Sequence, residues 1–337
     1  MKVSVVIPCR NEKPYIIECL DAIYANTLVE KEEIEVLIID GQSDDGTREL
    51  VESVLGNYKN LRIIDNPQRI TPVAFNLGVT NSTGEYVQRV DARHIICENH
   101  LETGIRLLEN QEEIWCVGSK LINEYTNQEG AIISKAMDTP FGMGVGNFRI
   151  LEKSGFTDTV TSPMYPRWVF DKIGMFDEEL VRNQDDEFNY RLTQAGGKVW
   201  FEASIWLKYY VRSTYAGLKK QFFQYGYWKV FVNKKHKAVT TVRQLFPPLF
   251  VLFAILSIPL MLLHPFFMYA IALTWLLYGA LALYFGFKKG TGIKESFGII
   301  RSFLIMHFQY GGGYLKGIYH FYLLNRKPSQ RETKLSR

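Results

Sequence analysis

An uncharged stretch near the carboxyl end of the chain limits what the chain can fold into. Residues 245–287 contain no Lys, Arg, Asp or Glu. One membrane-spanning helix needs about 20 apolar residues, so the stretch is long enough for two. His264-Pro265 divides it, which predicts a hairpin of two transmembrane helices over Leu245–Leu263 and Phe266–Phe287. A buried helical pair of a soluble protein would also lack charge, but so long an uncharged stretch far exceeds the usual core helix.

The charges around this stretch indicate its partner and its orientation. The chain of 337 residues has a formal net charge of only +4, yet residues 203–294 contain no Asp or Glu. Basic residues lie on both sides of the hairpin: Lys208, Arg212, Lys219, Lys220, Lys229, Lys234, Lys235, Lys237 and Arg243 before it, and Lys288, Lys289 and Lys294 after it. Such a segment predicts an anionic partner, and the hairpin favours membrane lipids over nucleic acid. The positive-inside rule then places both flanks, and with them the N-terminal domain, on the cytoplasmic side of an inner membrane.

Two further features agree with a cytoplasmic location. Met1-Lys2 leads straight into a strand-like segment without the apolar core of a signal peptide, so no signal peptide is expected. The four cysteines show neither metal-ligand spacing nor a disulfide framework, which predicts buried or free thiols in a reducing compartment. They are Cys9, Cys19, Cys97 and Cys116.

A third apolar stretch, residues 297–324, leaves two interpretations open. It contains four basic residues (Arg301, His307, Lys316 and His320), and Gly311-Gly312-Gly313 predicts a break within it. A complete crossing would carry the basic tail to the far side of the membrane. That tail comprises Arg326, Lys327, Arg331, Lys334 and Arg337. We therefore favour an amphipathic or re-entrant segment at the cytoplasmic face over a third transmembrane helix.

The amino-terminal residues alternate between strand and helix patterns. Strands are predicted at Val3–Pro8, Glu35–Asp40, Leu61–Ile64 and Tyr86–Val90, with helices that begin near Pro14, Thr47 and Thr71. This alternation predicts an α/β fold with a Rossmann-like, mostly parallel sheet and right-handed crossovers. No glycine-rich fingerprint follows the first strand and no P-loop is present, so neither a dinucleotide site nor an NTPase-type phosphate site is indicated.

Two of the predicted strands end in a carboxylate. Asp40 ends the second strand, and Asp91 in Asp91-Ala92-Arg93-His94 follows the fourth. Ligands of open α/β sheets bind at the carboxyl ends of the strands. A turn residue is the alternative interpretation of each aspartate, although a buried carboxylate costs desolvation free energy unless something binds it.

A third group of carboxylates begins a predicted helix. Asp185-Asp186-Glu187 precede Phe188 and Leu192, whose spacing places both on one helix face. Acidic residues in a first helical turn are favoured by the helix dipole. One of them could also act as a general base if it faced the crevice.

These segments together resemble the inverting family 2 glycosyltransferases, which have the GT-A fold. The resemblance covers about residues 1–210 and lies in Pro8 to Glu12, Asp40-x-x-Ser43-x-Asp45-Gly46-Thr47, Gly84-Glu85-Tyr86 leading to Asp91, Gly174-Met175-Phe176-Asp177-Glu178, and Gln184-Asp185. Two variants, Arg89-Val90-Asp91-Ala92 and the segment from Asn183 to Arg191, resemble the subgroup that contains the succinoglycan-type exopolysaccharide glucosyltransferases. Members of that subgroup also carry C-terminal membrane segments.

The resemblance implies a role for each matching residue. The nucleotide-sugar site would comprise Pro8, Arg10, Glu12, Asp40, Ser43, Arg69, Asp91 and Arg93. Asp40 would bind the base or ribose, and Asp91 matches the first aspartate of the family's Asp-x-Asp metal motif. Asp185 matches the catalytic base, which takes the proton of the attacking hydroxyl. Gln184 stands where glutamate is usual.

Arg93 departs from the family pattern, because it stands where the second metal-binding aspartate belongs. An arginine cannot ligate a cation. Either Mg²⁺ or Mn²⁺ is held by Asp91, with His94 and the donor diphosphate as further ligands, or Arg93 takes part of the charge of the leaving diphosphate. An ordinary polar loop residue is the competing interpretation of His94, because Mg²⁺ prefers oxygen ligands.

The resemblance and the hairpin together predict a membrane-anchored enzyme. It would transfer one sugar from a nucleotide donor, expected to be a UDP-sugar, to a polyprenyl-linked or other glycan acceptor in exopolysaccharide or cell-surface glycan synthesis. The alternatives are a polyprenyl-phosphate sugar synthase, a non-catalytic scaffold of a polysaccharide assembly complex, and a soluble nucleotidyltransferase. The predicted division is a catalytic domain (1–210), a basic aromatic interfacial segment (211–243), two transmembrane helices (244–288) and a further membrane segment with a basic tail (289–337).

Two other segments carry weaker signals. Residues 142–147 (Gly-Met-Gly-Val-Gly-Asn) predict a flexible loop, which either closes over donor or acceptor or is an ordinary surface loop. Residues 221–229 lack the arginine of the Gln-x-x-Arg-Trp motif found in processive relatives, so a single transfer is expected. An amphipathic helix lying on the membrane explains the aromatic residues and lysines of that segment equally well.

Overall fold

A computed structural model of the chain describes residues 1–28, 33–145, 147–211 and 214–328. They form two units, Met1–Asn123 with Leu151–Tyr210, and Glu124–Ile150 with the described residues from Val211 onward. The predicted boundary after residue 210 coincides with the end of the first unit, whereas residues 124–150 group with the carboxyl-terminal helices. Five residues named in the sequence predictions lie outside the described ranges: Gly146, Arg212, Arg331, Lys334 and Arg337.

The first unit begins with the predicted alternation of strands and helices. In chain order these are β1 (Val3–Cys9), α1 (Ile16–Tyr24), β2 (Ile34–Asp40), α2 (Thr47–Val54), β3 (Leu61–Asp65), α3 (Thr71–Thr80) and β4 (Tyr86–Arg89). Strand β1 lies between β2 and β4 and is parallel to both, and β3 is parallel to β2. Strand β2 is buried along its whole length and β1 along nearly all of it. Burial on both faces explains why these strands are apolar runs without polar alternation.

The second half of the sheet contradicts the prediction of a mostly parallel sheet. It contains β5 (His94–Ile96), β6 (Ile114–Glu124), β7 (Gly155–Thr157), β8 (Thr161–Pro166) and β9 (Lys198–Tyr210). Strand β8 is antiparallel to β4 and β6, and β9 is antiparallel to β5 and β7. The strands of the described residues lie in the order β3-β2-β1-β4-β8-β6-β9-β5, with β7 on β9. The prediction fails here because the strands that helices connect, β5 with β6 and β8 with β9, are not neighbours in the sheet: another strand lies between the two members of each pair.

The remaining helices of the first unit cover the sheet. They are α4 (His100–Asn110), α7 (Trp168–Ile173) and α8 (Gln184–Gln194), while α5 (Gln128–Met137) and α6 (Pro140–Met143) belong to the second unit. The Phe188 ring of α8 packs 5.1 Å from the Tyr165 ring of β8, between centroids, and 4.5 Å from that of Phe176. Phe188 and Leu192 are both fully buried, as their spacing predicts. This packing fixes α8, and with it the acidic first turn, against the sheet.

The second unit contains four long helices, α9 (Tyr215–His236), α10 (Phe246–Met261), α11 (Pro265–Lys289) and α12 (Ile293–Ile318). The break predicted at Gly311-Gly312-Gly313 is wrong, because α12 runs through these glycines without interruption. A Cβ on Gly313 would lie 2.1 Å from the Phe223 carbonyl oxygen of α9, and one on Gly311 would lie 2.5 Å from the Pro247 carbonyl oxygen of α10. The glycines therefore allow close helix packing instead of ending the helix.

The aromatic residues of α9 face the protein interior. Phe222, Tyr227, Trp228 and Phe231 are all buried, and the Tyr227 ring lies 4.8 Å from the Phe321 ring, centroid to centroid. For these four side chains the interpretation as membrane contacts is wrong. Helical spacing alone could not separate the two interpretations, because an aromatic face that packs on another helix has the same pattern as one that lies on a membrane.

The apolar helices α10 and α11 are separated as predicted. The His264 side chain caps α11 by accepting a hydrogen bond from the Phe266 backbone N–H (3.1 Å), and Pro265 is the first helical residue. Among the described residues, α11 is the one helix long and apolar enough to cross a membrane, and α10 is shorter. Large apolar side chains on both remain exposed, for example Phe246 and Leu249 on α10 and Leu276 on α11.

Gly84, which precedes β4, permits a close approach of two backbones. Its N–H donates to Ser4 Oγ at 2.8 Å, and a Cβ at this position would lie 2.5 Å from the Ser4 backbone nitrogen of β1. Backbone atoms cannot rotate away as a side chain can.

We therefore expect Gly84→Ala to lower the free energy of unfolding by about 1–3 kcal/mol, the usual cost of overpacking. The measurement is urea unfolding of the detergent-solubilised chain followed by tryptophan fluorescence. Gly56→Ala is the matched control, because nothing lies within 4 Å of its added Cβ. Equal unfolding midpoints for the two variants would contradict this account of Gly84.

Candidate functional site

The ends of the parallel strands bring the predicted donor-site residues to one edge of the sheet. Cys9, the last residue of β1, is in register with Asp40, the last residue of β2. Val6 of β1 is in register with Arg89, the last residue of β4, and Asp91 follows two residues later. We call this region, formed by the ends of β1 to β4 and the loops that follow them, the carboxyl edge.

Asp40 is buried at the carboxyl edge and is held by the loop that follows it. Its carboxylate accepts a hydrogen bond from Ser43 Oγ at 2.6 Å, and the Arg48 guanidinium lies 3.6 Å from its second oxygen. Its backbone carbonyl accepts from the Asn66 N–H at 2.8 Å. These contacts offset part of the free-energy cost of burying the Asp40 carboxylate, which was the reason to expect a ligand there. They also hold the carboxylate in a fixed position, where it can accept a hydrogen bond.

The loop after β1 is tied to the loop after β2. The Asn11 N–H donates to Ser43 Oγ at 3.0 Å, and the Glu12 N–H donates to Thr47 Oγ1 at 2.9 Å. Pro8 lies within β1 and Arg10 directly follows the end of that strand, and both are half-buried. These hydrogen bonds hold the two loops to each other. Thr47, which the sequence places at the start of a helix, also helps to hold Glu12 in place.

Arg69 lies on the loop after β3, at the same edge. Its Nε donates to the Gln42 side-chain oxygen at 2.6 Å, and its backbone has a positive φ of 61°. The side chain is exposed. Arg69 thus presents a cation next to the Asp40 loop.

Arg93 is paired with a carboxylate of its own unit. Its Nε donates to Glu12 Oε2 at 2.6 Å, and the guanidinium carbon lies 4.8 Å from the centroid of the Tyr15 ring. Burial lowers the pKa of Arg93, but the Glu12 charge and hydrogen bond outweigh burial and raise it. Arg93 therefore stays charged while about a third of its side chain remains exposed to solvent.

Asp91 is held from inside the sheet by Arg89. The Arg89 Nε donates to Asp91 Oδ1 at 2.9 Å and its Nη2 to Oδ2 at 3.3 Å, so the ion pair has two hydrogen bonds. The Asp91 side chain is 40% exposed, whereas that of Arg89 is 9% exposed. The Asp91 carboxylate is thus partly exposed to solvent, while its two hydrogen bonds with Arg89 fix its orientation.

His94, the candidate metal ligand, begins β5 and is buried. Its Nδ1 accepts a hydrogen bond from the Asp91 N–H at 3.4 Å, and its ring packs edge-on against the Tyr209 ring, 5.6 Å between centroids. Nδ1 is therefore engaged within the turn.

Asp185 lies in the first turn of α8, where the sequence places it. Burial raises the pKa of its carboxyl, the neighbouring Asp186 carboxylate raises it further, and the Arg89 guanidinium opposes both. The net direction is upward, as expected for a base tuned towards neutral pH. Gln184, before it, is buried.

The ligands that the protein offers at Asp91 fit a hard cation that obtains most of its other ligands from substrate phosphates and water. Within the described residues no three His, Cys, Asp or Glu side chains converge on a point. Asp91 offers a partly exposed carboxylate, and Mg²⁺ commonly binds through one or two carboxylates together with substrate phosphates and water. Such an ion would neutralise charge on a departing diphosphate.

The structure places Pro8, Arg10, Glu12, Asp40, Ser43, Arg69, Asp91, Arg93 and His94 at or directly beside the carboxyl edge. Sequence reasoning gave no role to Arg89 or Tyr15. The signal for Arg89 was available, because a residue two positions before Asp91 in a strand lies on the same face of the sheet. The signal for Tyr15 was absent, because its contact with Arg93 joins residues far apart in the chain.

Comparisons with known proteins agree with this geometry. The model of the family "Glycosyl transferase family 2" matches residues 4–174. The chain is 31% identical over 264 residues to a dolichyl N-acetyl-alpha-D-glucosaminyl phosphate 3-beta-D-2,3-diacetamido-2,3-dideoxy-beta-D-glucuronosyltransferase of Methanococcus voltae, covering 76% of this chain and 80% of the relative. It is 27% identical over 249 residues to the succinoglycan biosynthesis protein ExoA of Rhizobium meliloti (strain 1021), covering 72% and 73%.

A solved structure gives the same fold. The mannosyltransferase PcManGT from Pyrobaculum calidifontis, solved in complex with GDP-Man and Mn²⁺, superimposes with a TM-score of 0.64. The match covers 94% of this chain and 87% of that one at 18% sequence identity. The likeness establishes the α/β, GT-A-like fold with a curled sheet.

Proposed function

The chain belongs to glycosyl transferase family 2 and is a glycosyltransferase, and from this premise we propose that it transfers one sugar from a UDP-sugar to a lipid-linked saccharide at a membrane. The observation that carries the proposal is the carboxyl edge, where Asp40 and Asp91 are held in fixed orientations. The relative from Methanococcus voltae is named as acting on a lipid-linked saccharide, and ExoA as acting in succinoglycan biosynthesis. Both support an acceptor confined to the bilayer, in exopolysaccharide or surface-glycan synthesis.

The proposed reaction is a single displacement with inversion. Asp185 takes the proton of the acceptor hydroxyl as that oxygen forms a bond to the anomeric carbon of the donor sugar. The bond from the anomeric carbon to the diphosphate breaks, and its electron pair leaves with the nucleoside diphosphate. Pro8, Arg10, Glu12, Asp40, Ser43 and Arg69 would hold the nucleotide, and alignment of the two substrates supplies part of the acceleration.

A divalent cation, Mg²⁺ or Mn²⁺, would supply charge neutralisation at the diphosphate. Asp91 is the residue that we assign to hold it, and His94 is a second candidate. Arg93, already charged and partly exposed, would carry part of the leaving-group charge from the other side of the same turn.

The membrane part of the proposal rests on α10 and α11. A soluble chain rarely leaves so many large apolar side chains exposed on neighbouring helices. We infer that the two helices form a transmembrane hairpin with both basic flanks, and the catalytic unit, on the cytoplasmic face.

The test of the base is Asp185→Asn in the purified full-length protein, with nucleotide sugars as donors and membrane lipid extract as acceptor. We expect the transfer rate to fall by about 10²–10⁴-fold, the usual contribution of general base catalysis, while binding of UDP is retained.

Asp186→Asn is the matched control and should retain most activity. Because the Asp186 charge raises the pKa of Asp185, its removal lowers that pKa, and the acid limb of the rate profile should move to lower pH.

An unchanged rate for Asp185→Asn would overturn the proposed mechanism. It would favour the polyprenyl-phosphate sugar synthase, because a phosphate acceptor needs no deprotonation. Absence of donor hydrolysis and of transfer in the wild-type protein, with every nucleotide sugar tried, would favour the non-catalytic scaffold.

The test of the metal site is UDP binding, measured by calorimetry with and without Mn²⁺. We expect Mn²⁺ to increase the affinity of the wild-type protein, and Asp91→Asn to lose that increase. Asp171→Asn, which removes an exposed carboxylate from α7, should behave like the wild type. Transfer activity that survives thorough chelation would contradict the assignment and would leave Arg93 as the main neutralising group.

The test of the hairpin is cysteine labelling with an impermeant maleimide in vesicles of both orientations. The native cysteines are all buried, and burial raises the pKa of the Cys19 and Cys116 thiols, so background labelling should be low. We expect Lys289→Cys to react from the cytoplasmic face and Leu262→Cys, at the exposed turn after α10, from the opposite face. Labelling of both from one face would exclude a transmembrane hairpin.

A further inference from the structure

Arg89 is a buried cation at the end of β4, next to the residues assigned to the reaction. Only 8% of the residue is exposed, and both of its hydrogen bonds to carboxylate oxygens go to Asp91. A buried cation that is not matched by negative charge costs several kcal/mol. Carboxylates close to Arg89 are therefore needed to balance its charge.

The second carboxylate near Arg89 is Asp185, and the packing of α8 explains why. Tyr165 of β8 is in register with Val87 of β4, so Tyr165 and Arg89 lie on the same face of the sheet. The Tyr165 hydroxyl donates to the Asn189 side-chain oxygen of α8 at 3.2 Å. Asn189 and Asp185 are four residues apart and so lie on one face of the helix. The hydroxyl of Tyr165 thus anchors the turn that carries Asp185 beside the end of β4.

The electrostatics agree with this placement. Burial raises the pKa of Asp185 and so does the Asp186 charge, whereas the Arg89 charge lowers it. Asp185 also acts on the Tyr165 hydroxyl, whose pKa is raised mainly by burial. The charged or titratable groups that act on Asp185 therefore come from its own helix (Asp186), from β4 (Arg89) and from β8 (Tyr165).

We propose that Arg89 is a positioning residue of the transfer reaction, which fixes the donor-side carboxylate Asp91 through a two-hydrogen-bond ion pair and places a positive charge on the face of the sheet where the helix of the base Asp185 is anchored. The inference rests on the proposed function. A single buried cation would thereby link donor binding to proton removal, because it is hydrogen-bonded to Asp91 and lies on the face of the sheet to which Tyr165 anchors the helix of Asp185.

The test separates the two roles of Arg89 with two substitutions. Lysine retains the positive charge but cannot form the planar, two-hydrogen-bond pair, so Arg89→Lys should raise the donor KM by about tenfold or more, as for loss of a charged hydrogen bond. It should leave the acid limb of the kcat profile in place. Arg89→Gln removes the charge as well. Since Arg89 lowers the pKa of Asp185, that acid limb should then move to higher pH, together with an increase in donor KM.

Arg167→Gln is the matched control. Arg167 is a partly buried arginine of the same unit that donates to the Gly84 and Val79 carbonyl oxygens, at the opposite end of β4, and contacts none of the assigned site residues. Its loss should lower stability without moving the pH profile or the donor KM. UDP binding by calorimetry gives a second readout for all variants.

Three results decide the inference. If Arg89→Gln shifts neither the pH profile nor the donor KM relative to Arg167→Gln, the inference is overturned. If Arg89→Gln does not fold, Arg89→Lys still decides, because an unchanged donor KM in that variant contradicts the assigned ion pair. A wild-type protein that transfers no sugar would instead count against the proposed function, whereas an active wild type with unaffected Arg89 variants would count against Arg89 alone.

Discussion

The parallel pairing of β1 with both β2 and β4 is the constraint on which the candidate site depends. Because the three strands run in the same direction, their carboxyl ends and the loops that follow them share one edge of the sheet. Asp40, Glu12 and Asp91, which are far apart in sequence, meet there. The short ties between the loops, from Asn11 to Ser43 and from Glu12 to Thr47, then fix the loops to each other.

The same constraint explains which parts of the structure the sequence predicts. Strand ends in a crossover fold follow from local patterns, so Asp40 and Asp91 could be placed without a structure. The antiparallel half could not, because alternation within a strand does not show which strands pair or in which direction, and tertiary pairing sets both for β6, β8 and β9. Contacts such as that of Arg93 with Glu12, and the packing role of Gly313, depend on which distant segment lies opposite, and local sequence does not encode this.

The turn after β4 differs from an acidic metal motif in its balance of charge. Two arginines, Arg89 and Arg93, stand two positions before and after Asp91, and each is paired with a carboxylate of the same edge. The pairs Arg89–Asp91 and Arg93–Glu12 are each close to neutral. In a motif with two aspartates, the uncompensated negative charge repels a diphosphate until a cation binds.

This balance of charge changes the role that a cation would have at the site. Where the protein charges already cancel, a nucleoside diphosphate can approach the turn without first overcoming a field of like charge, and the exposed part of Arg93 attracts it. A divalent ion would then add to the affinity for the donor at Asp91 and would neutralise charge as the sugar–phosphate bond breaks. Arg93 in place of the second aspartate of the motif is therefore compatible with a donor site. Asp91, the aspartate that remains, is balanced by Arg89, and Arg93 is balanced by Glu12.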